Sequence, residues 1–285
     1  MMASAYLKSL RGFWLLARPH NLAIAVPAIF LGGFITSGVH PLSKLLLACA
    51  SGMWIGAGAN AINDVFDLDI DRINKPRRPL PSGLVKPAAA RRFAMACFGA
   101  GIVLSAPVNR ICFLIAAASS VLLYLYSSFL KRTVFWGNLT VAFMLGIALV
   151  YGGLAVGGFR NALIVGVFAF LYNLPREILK DVEDMEGDRS QGALTVPIRY
   201  GVRAALLWST LFLILLIVAT WIPAILGIFS MTYFWIVFVG VDCFAAFAIF
   251  SMWRNPSPPH LGRLAVWMKI DMLAGLAAVF FGRIA

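Results

Sequence analysis

Acidic residues are scarce in this 285-residue chain, which has 12 Asp and Glu against 24 Lys and Arg. Charged residues make up 13% of the sequence, whereas hydrophobic residues make up 61%. A water-soluble domain of this length cannot bury so much apolar surface, because part of any globule faces water. The net charge of +12 does not favour a nucleic-acid partner, because the basic residues fall in short loops between apolar runs. The composition instead predicts an integral membrane protein.

Cysteine is also rare, and its placement argues against a thiolate metal site. The four cysteines occur singly within apolar stretches, without the spacing of metal ligands, at Cys49, Cys97, Cys112 and Cys243. Such isolated residues are typical of small buried hydrophobic side chains.

Long apolar runs predict an all-α polytopic protein in which helices surround a central cavity. A helix of about 20 apolar residues crosses the hydrocarbon core of a bilayer. The predicted spans are 20–38, 43–66, 90–108, 111–128, 134–156, 161–180, 204–222, 229–252 and 264–282. The segment Ala3–Ala17 is mixed basic and apolar, which predicts an interfacial helix. We therefore expect one integral-membrane domain over residues 1–285.

The distribution of Lys and Arg predicts the orientation of these spans. If the N-terminus is cytoplasmic, only Lys44, Arg110, Arg160 and Arg283 fall on the other side, and Lys269 lies within the last span. The positive-inside rule favours this orientation. Nine spans then place the C-terminus outside, and the two longest loops, 67–89 and 181–203, inside.

All acidic residues except Asp242 and Asp271 fall into two clusters, each at the cytoplasmic end of a span. The first acidic cluster is Asn63–Asp71, and the second acidic cluster is Glu177–Asp188. Helical spacing places the polar side chains of each cluster on one face of a helix. One face carries Asn63, Asp67 and Asp71, and the other carries Asp181, Asp184 and Asp188.

Carboxylates stacked on one helix face repel each other unless a cation lies between them. Oxygen ligands without His or Cys suit Mg²⁺, which shares its coordination with water and substrate phosphates. The basic segment Lys75–Gly83 follows the first cluster, and Arg189 follows the second. Cations beside a carboxylate–Mg²⁺ site suit a diphosphate, whose oxygens the metal leaves partly unneutralised. The alternative is a solvated acidic loop, with basic residues that only set topology.

These motifs resemble those of the UbiA-type intramembrane prenyltransferases. The family pattern NDxxDxxxD is met from Asn63 to Asp71 and is followed by INKPRRPLPSG. A second pattern, DxxDxxxD, is met from Asp181 to Asp188. The two patterns together are highly specific, and the similarity extends over nearly the whole chain. One departure is that Tyr126 and Lys131 are five residues apart, whereas the family has a YxxxK element.

The resemblance implies an enzyme that transfers a prenyl group from its diphosphate with two Mg²⁺ ions. The implied metal ligands are Asn63, Asp67, Asp71, Asp181, Asp184 and Asp188. The implied diphosphate-binding residues are Arg78, Tyr126, Lys131, Arg189 and Asn21. The implied catalytic residues are Asp64, Asp67, Asp71, Asp184, Asp188 and Lys131.

Two segments, Ala17–Asn21 and Arg176–Asp188, are most similar to family members that make digeranylgeranylglyceryl phosphate for ether lipids. This similarity implies a geranylgeranyl donor and a geranylgeranylglyceryl phosphate acceptor, for which Arg18, Arg77, Arg176 and Lys180 are candidate extra cations. An aromatic acceptor, as in quinone, chlorophyll or tocopherol synthesis, is the alternative. A cation transporter and a non-catalytic membrane protein are alternatives of other classes, although clusters at helix ends suit a filter poorly.

Two further acids lie within predicted spans, outside both metal patterns. An ionisable group inside a span is by default a functional candidate. Lys269 lies in the last span, where Asp242 could pair with it across the last two spans, and we therefore expect Asp242 to be structural.

Overall fold

The computed structural model describes residues 2–190 and 192–282, without the side chains of residues 2–9, 21, 24, 37 and 190. Its main helices are α1 (Met2–Ala17), α2 (Pro19–Ser37), α3 (Leu42–Phe66), α4 (Leu68–Asn74), α5 (Pro87–Ser105), α6 (Arg110–Ser128), α7 (Trp136–Ala155), α8 (Arg160–Glu183), α9 (Met185–Ser190), α10 (Val196–Tyr200), α11 (Val202–Ile225), α12 (Met231–Ile236), α13 (Cys243–Arg254) and α14 (Pro258–Gly282). A 3₁₀ turn, Leu130–Arg132, precedes α7, and a π-helical segment, Val237–Asp242, joins α12 to α13. The fold is therefore all-α, as predicted.

The predicted spans agree with the observed helices. Within the described residues, eight helical segments are long and apolar enough to cross a membrane. The first predicted span corresponds to α2, which has a shorter apolar stretch, Ala25–Thr36. The last span begins at Pro258 instead of residue 264, because proline is well tolerated in the first turn of a helix.

Helix α11 shows why these helices belong in lipid. One face buries Leu206, Leu213 and Leu216. The opposite face is just as apolar but exposed, and it carries Leu207, Leu211, Ile214, Val218 and Ile222. A helix that is apolar on all sides is typical of a membrane span. The chain is a multi-pass membrane protein.

The helices form two compact units. The first contains the described residues up to Phe129 together with Val150–Phe159, and the second contains Leu130–Leu149 together with the described residues from Arg160 onward. Each unit holds one acidic cluster: the first cluster follows α3 in the first unit, and the second follows α8 in the second unit.

Close backbone contact and a buried cluster of apolar residues hold the first unit together. A Cβ at Gly152 of α7 would lie 1.8 Å from the carbonyl oxygen of Ile29 in α2, so only glycine permits this approach. Small residues at such crossings are typical of packed membrane helices. At the other end, Leu16, Ile62, Leu80, Val85 and Phe98 belong to one buried cluster. This cluster supports the end of α3, where the first acidic cluster begins.

The second unit packs α8 against α11 and α14. Its buried positions on α8 include Tyr172, Leu174, Ile178, Leu179 and Val182. The π-helical segment ends at Asp242, which is buried. Apolar packing along α8 therefore fixes the orientation of the helix end that carries the second acidic cluster.

Candidate active site

The first acidic cluster lies where α3 gives way to the short helix α4. Asp67 is the single residue between the two helices, and the backbone hydrogen bonds continue through it. Its N–H donates to the Asn63 carbonyl at 3.0 Å, and the Asp71 N–H donates to the Asp67 carbonyl at 2.8 Å. The Asn63 side-chain amide donates to the Asp67 carboxylate at 2.9 Å. The predicted sharing of one face by Asn63 and Asp67 is therefore observed.

Two arginines neutralise the buried aspartates of this cluster. The Asp64 carboxylate, whose side chain is 3% exposed, pairs with Arg18 and lies 3.4 Å from Arg78. Asp71, whose side chain is 5% exposed, pairs with Arg78 at 2.5 Å. Arg78 therefore bridges two buried carboxylates. A buried negative charge is strongly destabilising unless a positive charge is paired with it. By contrast, Asp69 is exposed and pairs only with Arg72.

Local backbone structure positions both arginines. Arg18 separates α1 from α2 with φ of 50°, a left-handed conformation that non-glycine residues rarely adopt. The Asn60 side chain holds this junction by donating to the Ala17 carbonyl at 2.9 Å. Arg78 lies in the loop after α4, which is anchored because Leu80 and Val85 are buried.

The second acidic cluster repeats this backbone arrangement. Asp184 is the single residue between α8 and α9, its N–H donates to the Lys180 carbonyl, and the Asp188 N–H donates to the Asp184 carbonyl, both at 2.9 Å. Asp181 accepts a hydrogen bond from the Asn138 side chain of α7 at 2.7 Å. Glu177, one turn earlier, pairs with Arg176 and with Lys180.

The charge of the second cluster is less completely balanced. Burial, and next the neighbouring Asp184 carboxylate, raise the pKa of Asp188 to about 6, whereas Lys180 lowers it. Like charges that lie close together disfavour ionisation unless a cation joins them. These acids therefore form a place where a divalent cation would relieve repulsion.

The segment after α9 is tied to the acidic cluster and to the turn before α7. The Ala193 N–H donates to the Asp188 carbonyl at 3.0 Å, and the Leu194 N–H donates to the Arg132 carbonyl at 2.9 Å. Lys131, a predicted diphosphate ligand, lies in that turn. Backbone bonds thus join the Lys131 turn and the second cluster through one connecting segment.

The donor set of both clusters suits a hard cation. Each offers carboxylate oxygens at a helix end, and an amide accompanies each, Asn63 in the first and Asn138 in the second. Over residues 2–190 and 192–282, no three His, Cys, Asp or Glu side chains converge closely enough to enclose an ion. Carboxylate and amide oxygens are ligands of the kind that Mg²⁺ takes, together with water and phosphate oxygens.

The remaining predicted site residues are placed as follows. Tyr126 is half-buried in the last turn of α6, and Lys131 is half-buried in its turn. Arg189 is exposed near the end of α9. The side chain of Asn21 lies outside the described part of the chain.

Two predictions are wrong. Asp242 does not pair with Lys269, which is exposed; Thr220 and Trp221 of α11 donate to it at 3.1 and 2.8 Å. The polar side chains of α11 replace the cation because they reach a buried carboxylate without burying a second charge. The other intramembrane acid, Asp271, accepts from Tyr172 at 2.6 Å.

The second wrong prediction concerns the extra cations for the acceptor. Arg18 is paired with Asp64, and Arg176 with Glu177 and the Ala265 carbonyl. Neither is therefore spare. The third candidate, Lys180, also pairs with Glu177, at 3.5 Å. The fourth candidate, Arg77, is exposed.

Sequence analysis missed the role of Arg18 in balancing Asp64 and missed Asn138 altogether. The sequence gives only a weak indication for Arg18. Its position between the predicted interfacial helix and Pro19 marks the start of a span but does not identify its partner. Asn138 carries almost none, since a lone amide near a helix start has no distinctive spacing.

The chain is similar to known proteins in both sequence and fold. The chain matches the model of the UbiA prenyltransferase family over residues 25–270. Digeranylgeranylglyceryl phosphate synthase from Methanopyrus kandleri is 40% identical over 271 residues, which cover 94% of this chain and 98% of that protein. The synthase of the same name from Natronomonas pharaonis is 37% identical over 281 residues, which cover 98% and 99%.

Two solved structures share the fold. A structure of digeranylgeranylglyceryl phosphate synthase has a TM-score of 0.86 and 32% identity, and the match covers 97% of this chain and 99% of the other. A UbiA homologue from Archaeoglobus fulgidus, bound to DMAPP and Mg²⁺, has a TM-score of 0.72 and 21% identity, with coverage of 94% and 99%. The latter likeness shows the fold alone.

Proposed function

Because this chain belongs to the UbiA prenyltransferase family and is a prenyltransferase, we propose that it transfers a geranylgeranyl group from its diphosphate to geranylgeranylglyceryl phosphate. One observation supports this choice of acceptor most: the chain is 40% identical, over nearly its full length, to a digeranylgeranylglyceryl phosphate synthase. Membership of an enzyme family removes the cation transporter from consideration. The whole chain, residues 1–285, is proposed to act as one catalytic domain.

The proposed reaction forms an ether. The free hydroxyl oxygen of the acceptor bonds to the allylic carbon of the donor, while the bond from that carbon to the diphosphate oxygen breaks. The diphosphate leaves with the electron pair, and the hydroxyl proton passes to water or to the released diphosphate. Stabilising charge on the leaving diphosphate is the main requirement, since the allylic carbon gains cation character.

Mg²⁺, bound to the donor diphosphate, would make it a better leaving group by neutralising its charge. We assign Asn63, Asp67 and Asp71 to one ion and Asp181, Asp184 and Asp188 to a second. The raised pKa of Asp188 supports this assignment, because burial, and next the neighbouring Asp184 carboxylate, disfavour a negative charge there that a cation would compensate. In this proposal Asp64 acts through Arg18 and Arg78, which it holds in place.

Cationic side chains would bind the diphosphate oxygens that the metal leaves free. We assign this role to Arg78, Lys131 and Arg189, with Tyr126 and Asn21 as further polar ligands. Arg78 is suitable because Asp64 and Asp71 fix its guanidinium at the first cluster. Lys131 is suitable because its turn is joined by backbone bonds to the segment that follows the second cluster.

A direct competition tests the acceptor. Purified protein with labelled geranylgeranyl diphosphate and Mg²⁺ is offered geranylgeranylglyceryl phosphate, 4-hydroxybenzoate, homogentisate and dihydroxynaphthoate together. We expect digeranylgeranylglyceryl phosphate to dominate the products. A dominant aromatic product would overturn the acceptor and leave prenyl transfer intact.

We also propose that the N-terminus and both acidic clusters face the cytoplasm of the cell membrane, with the C-terminus outside. The bias of Lys and Arg supports this orientation. In a cysteine-less variant, Ser82→Cys should label only from the cytoplasmic side and Phe159→Cys only from the other, since both positions are exposed. The reverse labelling would contradict the orientation.

A further inference from the structure

The first turn of α7 contacts both a predicted metal ligand and a predicted diphosphate ligand of the second unit. Asn138, the third residue of α7, donates from its side-chain amide to the Asp181 carboxylate at 2.7 Å. The preceding residue, Gly137, lies against the turn that carries Lys131. The start of α7 therefore contacts Asp181, a proposed metal ligand, and the backbone of the turn that carries Lys131, a proposed diphosphate ligand.

Gly137 permits the close approach of the Lys131 turn. A Cβ at this position would lie 3.0 Å from the Lys131 Cα and 3.1 Å from the Leu130 carbonyl oxygen. Both neighbours are backbone atoms, which cannot rotate away as a flexible side chain can. A larger residue would therefore push the Lys131 turn away from α7.

Asn138 is suited to orient Asp181 because its amide is neutral. A guanidinium, such as those that Arg18 and Arg78 provide to Asp64, both orients a carboxylate and cancels its charge. An amide fixes one carboxylate oxygen and leaves the negative charge available to a cation. Hydrogen bonds of this kind from outside the ligand set are what hold metal-binding carboxylates in position.

We propose that Asn138 is a positioning residue that holds Asp181 ready for a divalent cation, with Gly137 admitting the Lys131 turn beside it. This inference rests on the proposed metal-dependent function and deepens it. Asn138 acts through Asp181 and has no role of its own in bond making. Its loss should therefore weaken metal binding more than it lowers turnover at saturating metal.

The test measures Mn²⁺ binding to the purified protein in detergent, without donor or acceptor, from the EPR signal of free Mn²⁺. Asn138→Leu keeps the side-chain size and removes the donor, and Asn138→Ala is a second variant should the first fold poorly. We expect each to bind Mn²⁺ roughly tenfold more weakly than the natural protein, the usual scale for losing such a partner.

The matched control is Thr140→Val on the same helix. Thr140 is buried and donates only within α7, to the Trp136 carbonyl at 2.7 Å, so its loss perturbs the helix but not Asp181. We expect this control to keep its Mn²⁺ affinity. In the transfer assay, the Asn138 variants should require about tenfold more Mg²⁺ for half-maximal rate and regain most of kcat at high Mg²⁺.

Two outcomes separate this inference from the proposed function. If the natural protein transfers prenyl groups but Asn138→Leu and Asn138→Ala match Thr140→Val in Mn²⁺ affinity, the positioning role is overturned and the function stands. If the Asn138 variants lose Mn²⁺ affinity while no acceptor is ever prenylated, the function is wrong and the positioning role stands.

Discussion

The two acidic clusters share their spacing but differ in what balances their charge. In each, aspartates follow the pattern DxxDxxxD, and the middle aspartate separates a long span from a short helix. The two buried aspartates of the first cluster pair with arginines from outside it, Asp64 with Arg18 and Asp71 with Arg78. In the second, the corresponding Asp181 is bonded to a neutral amide, and Asp188 has a raised pKa.

From this difference we expect that the two matching motifs depend to different extents on a bound cation. The first cluster is close to electrically balanced as it stands, so its arginines contribute to folding as well as to the site. In the second cluster, Arg176 and Lys180 pair with Glu177 instead of an aspartate, so a divalent cation should contribute more to its stability. Added metal should therefore raise the melting temperature mainly through the second cluster.

The largest expected effect is on turnover when the middle aspartate of either cluster is removed. Asp67→Ala and Asp184→Ala should each lower kcat by at least about 10²–10³-fold, the scale for losing one group that stabilises transition-state charge. Both proteins should remain folded in detergent, as judged by size-exclusion chromatography. Full activity in either variant would contradict the equal importance of the two clusters to the reaction.

The next effect separates the clusters by stability. Arg78→Leu removes the cation paired with the buried Asp71 and leaves Asp64 with Arg18 alone, which should lower the free energy of unfolding by about 3 kcal/mol. Arg189→Leu is the matched change after the second cluster and should leave stability nearly unchanged, because Arg189 is exposed. Thermal unfolding in detergent measures the stability of both variants. Equal losses of stability would contradict the proposed difference in charge balance between the two clusters.

A smaller effect distinguishes the two clusters from Asp242, the acid at the end of the π-helical segment. Asp242→Asn perturbs two hydrogen bonds, from Thr220 and Trp221, and should cost roughly 0.6–1.7 kcal/mol, the range for polar contacts between membrane helices. Turnover per folded molecule should fall far less than in Asp71→Asn. An equal or larger loss of turnover in Asp242→Asn would show that this acid belongs to the chemistry.

The smallest effect concerns the one exposed acid of the first motif. Asp69 has a side chain that is 91% exposed and pairs only with the exposed Arg72. Asp69→Asn should change stability by less than about 0.5 kcal/mol and leave kcat unchanged, since such surface pairs contribute little. A large loss of activity would mean that the cluster binds its ligand on a different face from the one assigned.

Most of the fold could be predicted from the sequence, because apolar runs of bilayer length have few alternatives. The family was predicted from the two aspartate motifs. The position of each acidic cluster at a helix end was predicted because each motif follows an apolar run. The π-helical segment before Cys243 could not be predicted, since nothing in the apolar run 229–252 marks it. The partners of Asp64, Asp181 and Asp242 were also missed, because each comes from a residue distant in sequence.

Charge counting failed for a related reason. Arg18 and Arg176 looked like spare cations for an acceptor phosphate, yet the carboxylates of Asp64 and Glu177 already pair with them. A sequence shows how many cations lie on one side of a membrane, whereas only packing shows which of them are free.

The central claim is metal-dependent prenyl transfer, and product analysis with and without metal tests it most directly. Purified protein receives labelled geranylgeranyl diphosphate and geranylgeranylglyceryl phosphate, with either Mg²⁺ or EDTA, and both digeranylgeranylglyceryl phosphate and released diphosphate are measured. The account predicts equal amounts of the two products in Mg²⁺ and neither product in EDTA. Prenyl transfer at the same rate in EDTA would contradict it.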